Sequence, residues 1–223
     1  MVLYHGSENI IDKPVYGKGK IYNDFGRGFY CTENLDLARE WSVDEDRDGY
    51  ANSYEIDISK LGIIDLNSEE YCVLHWITIL MKNRQFELST PLAKEGYSYL
   101  TENYTVDVDN YDVIKGYRAD DSYFSYAQDF INGLISVAQL SKALHLGNLG
   151  EQIVLKSRKA FDEIRYTGSE SVASSEWYIR KMDRERRARK EYFAMNKDKY
   201  IKGDLYMPRI IDEEVTADDP RLR

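Results

Sequence analysis

The chain has 223 residues, of which 43% are hydrophobic and 31% are charged, and its formal net charge is -9 at pH 7. This composition is typical of a packed globular domain and excludes a globally disordered chain. The excess of acidic groups argues against general nucleic-acid binding, because phosphates repel an acidic surface.

The first half of the chain interleaves short apolar runs with helical periodicity. The patterns predict strands at residues 2–4, 29–32, 54–58 and 61–66, and helices at 34–41 and 67–86. Thr32 or Asn34 is the candidate cap of the first helix. Residues 8–28 contain several glycines and a proline and are expected to be irregular, and residues 88–110 match no single pattern.

The second half contains fewer strands. The patterns predict strands at residues 111–117 and 152–155, an extended stretch at 160–165, helices at 122–131, 134–144 and 174–195, and a helix or strand at 205–215. The strands and helices do not alternate regularly, which favours an α+β fold over a doubly wound sheet. We expect one domain over residues 1–215 and a flexible tail at 216–223.

Cysteine and histidine spacing predicts neither a disulfide scaffold nor a metal site, since the two cysteines and three histidines are widely separated. The first residues lack a basic segment followed by an apolar one, and the apolar runs are too short to span a bilayer. We therefore expect a cytoplasmic protein with no membrane partner.

Three segments place polar or aromatic groups at the ends of short apolar strands, where ligand sites are common. They are residues 3–7 (LYHGS), 25–32 (FGRGFYCT) and 150–155 (GEQIVL). In this order they resemble the ADP-ribosyltransferase superfamily, in the branch shared by diphtheria toxin and the poly(ADP-ribose) polymerases and defined by a His, a Tyr and a Glu. Three more segments extend this resemblance: residues 40–41 (EW), 111–121 (YDVIKGYRADD) and 152–157 (QIVLKS). With them, the chain is similar over most of residues 1–215 to a bacterial family assigned to that superfamily.

The resemblance implies a split β-sandwich of two small sheets with an NAD cleft between them and a helical insertion at about residues 67–150. It also implies transfer of ADP-ribose from NAD, the substrate, to a macromolecule, with release of nicotinamide. Some members of the bacterial family lie beside small antitoxin-like genes. The implied context is therefore a bacterial toxin or signalling modifier, with a protein or nucleic-acid acceptor and a small antitoxin protein as partners.

The resemblance also assigns roles to individual residues. His5 would hydrogen-bond the adenosine ribose, and the main chain of Gly6 would clamp the nicotinamide carboxamide. Tyr30 would stack on the nicotinamide ring, and Trp41, eleven positions later, would cover its other face. Such faces suit a cationic ring, since stacking and cation–π attraction contribute roughly 1–2 kcal/mol each when desolvated.

Two further residues are candidate NAD contacts. Ser7 follows His5 and Gly6 in the first motif, and Arg118 follows the strand predicted at 111–117. Arg118 would bind the pyrophosphate, although a surface ion pair is an equally ordinary role for an arginine.

The third catalytic position is open between two adjacent residues. Alignment with the polymerases selects Glu151, whereas the bacterial family selects Gln152, which we favour while retaining Glu151. Adjacent strand residues face opposite sides, so only one of them can point into the site. If it is Gln152, charge stabilisation is weaker and a second acid could be supplied by Asp120 or Asp121, although both also suit a helix N-terminus.

Three other functions also fit the sequence. An NAD glycohydrolase would use water as the acceptor. A non-catalytic NAD-binding module would be favoured if Gln152 faced the cleft and Glu151 pointed away. Nucleic-acid binding would use the basic segment at residues 180–190, which is more simply interpreted as a solvated helix stabilised by ion pairs.

Overall fold

The computed structural model describes residues 1–119, 121–146, 150–196 and 200–222. Within them the strands are β1 (Val2–Ser7), β2 (Phe29–Cys31), β3 (Gly49–Ile56), β4 (Ile63–Asp65), β5 (Val113–Tyr117), β6 (Glu151–Leu155) and β7 (Ile164–Val172). The helices are α1 (Leu35–Ser42), α2 (Val73–Asn83), α3 (Pro91–Asn103), α4 (Asp121–Ile131), α5 (Val137–Ala143), α6 (Arg158–Glu163), α7 (Ser174–Asn196) and α8 (Met207–Asp212). No helix in these ranges combines the length and apolar character needed to cross a membrane.

The strands form two open sheets. One has the antiparallel order β1-β3-β7, and the other has the order β2-β6-β5-β4, in which β4 and β5 are parallel. The sheets meet beside β1, where Tyr4 and Thr32 exchange main-chain hydrogen bonds of 2.8 and 2.9 Å. Two sheets with interspersed helices make an α+β fold, as the irregular element order predicts.

Helix α1 packs directly on β1 and fixes the end of that strand. The side chain of Asn34 accepts hydrogen bonds from the main-chain N–H groups of Asp36 and Leu37, which makes Asn34 rather than Thr32 the helix cap. A Cβ atom on Gly6 would lie 2.0 Å from the carbonyl oxygen of Ala38. Glycine is therefore required where β1 touches α1, and that contact places the first motif beside Trp41.

A larger hydrophobic core lies under the second sheet, where helices α2 to α5 and α8 pack together. One face of helix α7 is fixed to the rest of the domain by two contacts. Arg184 forms a buried ion pair with Glu40 of α1, with 2.7 Å between Nη2 and Oε2. Tyr192 stacks on Tyr126 at a centroid distance of 3.6 Å, so one side of α7 is fixed to the domain.

Helix α2 differs from the prediction in extent, and the segment after Ser157 differs in type. Helix α2 begins at Val73 rather than near residue 67, because the main-chain N–H of Cys72 donates to Nδ1 of His75 and closes the first turn there. Residues 158–163 form a helix rather than the expected extended stretch, because the side chain of Ser157 caps the N–H of Ala160. Apolar residues in so short a segment do not distinguish a helical turn from a strand.

The described part of the segment expected as a helical insertion, residues 67–150, contains helices α2 to α5 and also β5. Strand β5 pairs with β4 and β6 and belongs to the second sheet, so the helices are inserted on either side of it. At the other end of the chain, Leu222 is 8% exposed and packs against the helical core.

Candidate functional site

A cleft of about 910 Å³ opens where the two sheets converge. This volume is within the range of about 300–1,000 Å³ typical of small-molecule sites. The candidate residues that line it are His5, Gly6, Ser7, Tyr30, Trp41, Arg118 and Gln152, whereas Glu151 does not line it. Residues from distant parts of the chain therefore meet in one cavity.

His5 is held in one orientation at the wall of the cleft. Its Nδ1 lies 2.7 Å from the main-chain oxygen of Tyr30, and its ring packs against Phe29 at 4.4 Å between centroids. A carbonyl oxygen accepts hydrogen bonds, so Nδ1 must carry a proton, and Nε2 of the neutral ring is an acceptor. Burial lowers the pKa of His5 below 6.5, against the opposing effect of the Tyr30 hydrogen bond, and favours this neutral form.

The ring of Tyr30 is fixed by its hydroxyl group. The hydroxyl donates to the main-chain oxygen of Gly26 at 2.6 Å and accepts from the main-chain N–H of Phe25 at 3.0 Å. Burial raises the pKa of Tyr30, so the hydroxyl stays protonated. The polar end of the side chain is thus engaged in the turn, and the ring remains available as an aromatic surface in the cleft.

Trp41 and Arg118 lie together on another wall. The guanidinium of Arg118 stands 4.8 Å from the centroid of the Trp41 ring, so one face of the indole already holds a cation. Nε1 of Trp41 is buried and has no hydrogen-bond partner among the described residues. A buried donor of this kind is uncommon and marks a position where a ligand oxygen would be stabilised.

The edge of β1 presents main-chain groups beside the cleft. Met1 and Ile56 form two main-chain hydrogen bonds with each other, at 3.0 Å each. This pair fixes which residues of β1 point their N–H and C=O groups towards β3. In an antiparallel pair the next residues point their N–H and C=O groups the other way, as Tyr4 does towards Thr32. Gly6 follows Tyr4 by two positions, so its N–H and C=O also face away from β3.

Ser7 makes local hydrogen bonds at the same strand end. Its hydroxyl donates to the main-chain oxygen of Asn9 at 2.8 Å and accepts from Nδ2 of Asn52 at 2.9 Å. Asn52 is fully buried and also donates to the main-chain oxygen of His5 at 3.2 Å. These contacts explain the shape of the motif and leave Ser7 as a wall residue of the cleft.

Gln152 and Glu151 face opposite sides of β6. Gln152 is 3% exposed, and its Nε2 donates to Oδ2 of Asp24 at 2.9 Å and to the main-chain oxygen of Tyr117 at 3.3 Å. Both partners are acceptors, so the amide orientation is determined and Oε1 is the acceptor that remains. Glu151 instead binds Lys115 at 2.9 Å on the other side of the sheet.

Asp24 is a carboxylate of the site that the sequence patterns do not reveal. It is 5% exposed, and besides Gln152 it accepts from the main-chain N–H of Ala119 at 2.9 Å and pairs with Arg84 at 3.0 Å. Burial raises the pKa of Asp24, opposed by these donors and by Arg118. Asp120, the other proposed source of an acid, lies outside the described residues, as does the side chain of Asp121.

Asp24 is held in place by a turn of the chain. The main-chain N–H of Gly26 donates to the carbonyl oxygen of Asn23 at 2.9 Å, and Gly26 has a φ of 71°. Glycine adopts this conformation without steric cost. A glycine two positions after an aspartate was the available sequence signal, but it did not show which strand the carboxylate would reach.

The cleft is basic although the protein is acidic. Among its 24 lining residues seven are basic and two are acidic, a formal excess of five positive charges in a chain of net charge -9. The basic residues are Lys13, Lys18, Lys20, Arg84, Arg118, Lys181 and Arg189. Such segregation concentrates anionic ligands in the cleft. Among the described residues no three His, Cys, Asp or Glu side chains lie together as a metal site.

The basic segment at residues 180–190 belongs to α7 and contributes Lys181, Glu185 and Arg189 to this lining. Its outer side has the ion pairs of a solvated helix, such as Arg186 with Asp183 at 3.1 Å. The segment is therefore both a surface helix and a wall of the cleft. The sequence indicated a solvated helix or a nucleic-acid-binding segment, but not a part of the NAD cleft.

Fold and site define an α+β protein with a basic cleft between two sheets. A family described as "Protein of unknown function (DUF3990)" matches residues 1–166, about three quarters of the chain, and the chain belongs to this family. The match ends within β7, before α7 begins. No significant match was found among curated proteins or among solved structures.

Proposed function

We propose that this protein is an NAD-dependent mono-ADP-ribosyltransferase with the split-sandwich fold of the ADP-ribosyltransferase superfamily. The observation that carries the proposal is the convergence of His5, Tyr30, Trp41 and Gln152 on one cleft. Their roles were inferred from motif resemblance alone, and unrelated motif matches would have no reason to line the same cavity.

The residues present fit NAD. The rings of Tyr30 and Trp41, which both line the cleft, suit the cationic nicotinamide. The outward N–H and C=O of Gly6 match a carboxamide, which has one acceptor and two donor hydrogens. Nε2 of His5 can accept from a ribose hydroxyl, and Arg118 is the candidate cation for the pyrophosphate, as the charge of the cleft favours.

Cleavage of the nicotinamide–ribose bond builds positive charge on the ribose, as in glycoside chemistry. The bonding electrons leave with nicotinamide, which becomes neutral, and the acceptor forms the new bond to the same carbon and loses its proton to solvent. Oε1 of Gln152 can accept from a ribose hydroxyl because Asp24 holds the amide in one orientation. The carboxyl group of Asp24 lies 2.9 Å from Nε2 of Gln152, and its other donors, the N–H of Ala119 and Arg84, favour its charged form.

The direct test is nicotinamide release from labelled NAD, with and without cell lysate. We expect Tyr30→Ala and Gln152→Ala to lower release at least tenfold, because each removes a cleft contact. Glu151→Ala is the matched control, since Glu151 is adjacent in sequence but binds Lys115 outside the cleft. Wild-type protein that neither binds NAD nor releases nicotinamide would rule the proposal out.

A non-catalytic NAD-binding module is the second candidate. The observation in its favour is that Gln152 faces the cleft while Glu151 points away, which leaves no carboxylate at the usual third position. It predicts NAD binding without nicotinamide release under any condition. Nicotinamide release without labelled macromolecule would instead identify a glycohydrolase.

A toxin role with a small antitoxin partner belongs to the same proposal. We expect induced wild-type protein to slow the growth of a bacterial host and Tyr30→Ala to relieve the effect. Equal growth inhibition by both proteins would show that the toxicity does not depend on Tyr30 in the cleft.

A further inference from the structure

One wall at the mouth of the cleft alternates basic and aromatic residues. Lys13, Lys18 and Lys20 line the cleft, and none of them forms an ion pair with a described residue. Between and beyond them, Tyr16 is 44% exposed and Tyr22 is 72% exposed. Exposed tyrosines among unpaired lysines are not required by the hydrophobic core, so the loop has the composition of a binding surface.

Helix α7 forms another wall. Lys181, Glu185 and Arg189 line the cleft at intervals of four residues, which places them on one face of the helix. Phe193, four residues further on, is 67% exposed. Because Arg184 is paired with Glu40 on the inner side, this face is held towards the cleft.

The charge of the cleft exceeds what NAD alone requires. NAD has two phosphates, whereas the lining has five positive charges in excess. Arg84 contacts Asp24 and Arg118 contacts Trp41, so these two cations lie against the inner residues of the cleft. The remaining basic residues, which we call the outer cations, are Lys13, Lys18, Lys20, Lys181 and Arg189.

Outer cations combined with exposed aromatic rings are the features that bind single-stranded nucleic acid. Cations neutralise successive phosphates, and aromatic rings stack on unpaired bases. An acidic peptide would satisfy the cations but would not use the exposed aromatic surface of Tyr16, Tyr22 and Phe193. A duplex would also satisfy the cations, but its bases are stacked inside and do not reach protein rings.

We propose that the mouth of the cleft binds single-stranded nucleic acid and that such a strand is the acceptor of the ADP-ribosyl group. The second clause rests on the proposed function. A nucleophilic nitrogen or oxygen of the strand bonds to the ribose carbon as the bond to nicotinamide breaks. Nicotinamide leaves with the bonding electrons, and the proton of the nucleophile passes to solvent.

The binding clause is tested without NAD, by fluorescence anisotropy of labelled single-stranded oligonucleotides of DNA and of RNA. If all five outer cations contact phosphates, the slope of log affinity against log salt concentration should be about -3.5. Lys18→Gln/Lys20→Gln should reduce it to about -2. Lys94→Gln/Lys142→Gln removes the same charge from exposed lysines outside the cleft and should leave it unchanged.

Stacking has a separate signature. Tyr22→Ala should weaken binding roughly tenfold at constant salt while leaving the salt slope unchanged, since it removes a ring and no charge. The proposal is overturned if the oligonucleotides do not bind at low salt, or if duplex DNA or poly-glutamate binds as tightly. It is also overturned if the Lys94/Lys142 control loses as much affinity as the Lys18/Lys20 variant.

Labelled NAD then tests the acceptor clause on the strand that binds. Label on the oligonucleotide supports it. Nicotinamide release with label only on protein overturns the acceptor assignment and leaves the proposed function intact. Oligonucleotide binding with no nicotinamide release rejects the proposed function, and with it the acceptor clause, while the binding site stands.

Discussion

Replacing Gln152 with glutamate would turn a buried hydrogen-bond donor into a second carboxylate facing Asp24. In the wild type, Nε2 of Gln152 donates to Asp24 at 2.9 Å and to the main-chain oxygen of Tyr117 at 3.3 Å. A glutamate at this position would present an oxygen to both of these acceptors. The shape is unchanged, so the effect of Gln152→Glu is electrostatic.

The size of the effect follows from the geometry. Two unit charges about 3 Å apart repel by roughly 6 kcal/mol at an effective dielectric constant of 20. Protonating a glutamate at pH 7 costs less, about 3.7 kcal/mol, given a reference pKa near 4.3 and about 1.36 kcal/mol per unit. The pair would therefore take up a shared proton, and about 3.7 kcal/mol is an upper limit because Arg84 offsets part of the repulsion.

The pH dependence distinguishes this effect from a packing defect. The folded variant would hold a proton that the unfolded chain releases above about pH 4.3, so its stability relative to wild type should fall as pH rises. We expect the deficit in the free energy of unfolding to shrink by up to about 1.4 kcal/mol per unit as pH is lowered from 7 to 5. Urea denaturation at pH 5, 6 and 7 measures it.

Two controls complete the assay. Gln85→Glu makes the same chemical change at an exposed position and should have little effect at any pH. Asp24→Asn/Gln152→Glu supplies an amide donor for the new carboxylate and should remove most of the pH dependence. A deficit in Gln152→Glu that is the same at all three pH values would refute the inferred contact with Asp24.

Three further predictions concern the walls of the cleft. Gly6→Ala should lower the melting temperature sharply or prevent folding, since its Cβ would lie 2.0 Å from the main-chain oxygen of Ala38; a stability near wild type would contradict this packing. Tyr30→Phe should lower the free energy of unfolding, measured by urea denaturation, by about 2 kcal/mol, because the N–H of Phe25 and the carbonyl of Gly26 lose their hydrogen-bond partner. A decrease below about 0.5 kcal/mol would contradict this. Under the proposed function, NAD affinity should be constant from pH 8 to 6.5 and fall only at lower pH, because the pKa of His5 is lowered and its Nε2 stays an acceptor; a midpoint above 6.5 by isothermal titration would contradict this.

Local elements with strong sequence signals were predictable. Asn34 followed by an amphipathic octet predicted α1, and the apolar run after Gly150 predicted β6. Weak periodicity failed at residues 160–163, where a serine cap produces a helix, and at residues 91–103, where Thr90 and Pro91 begin α3. In short segments a single side-chain cap decides the conformation, and composition does not show whether that cap is used.

The sequence by itself determined which residues were candidates: His5, Tyr30 and Trp41 stand in motifs whose spacing is visible along the chain. It also determined that only one of Glu151 and Gln152 could face the site, because strand residues alternate. Which of the two does so was decided by the tertiary structure, since alternation does not show which face of a strand is covered.

Tertiary structure alone also placed Asp24 against Gln152, 128 residues away, and turned the basic face of α7 into a wall of the cleft. The physical reason is the same in both cases. Charges far apart in sequence interact only after the core has packed, and their partners depend on how helices and sheets meet rather than on local pattern.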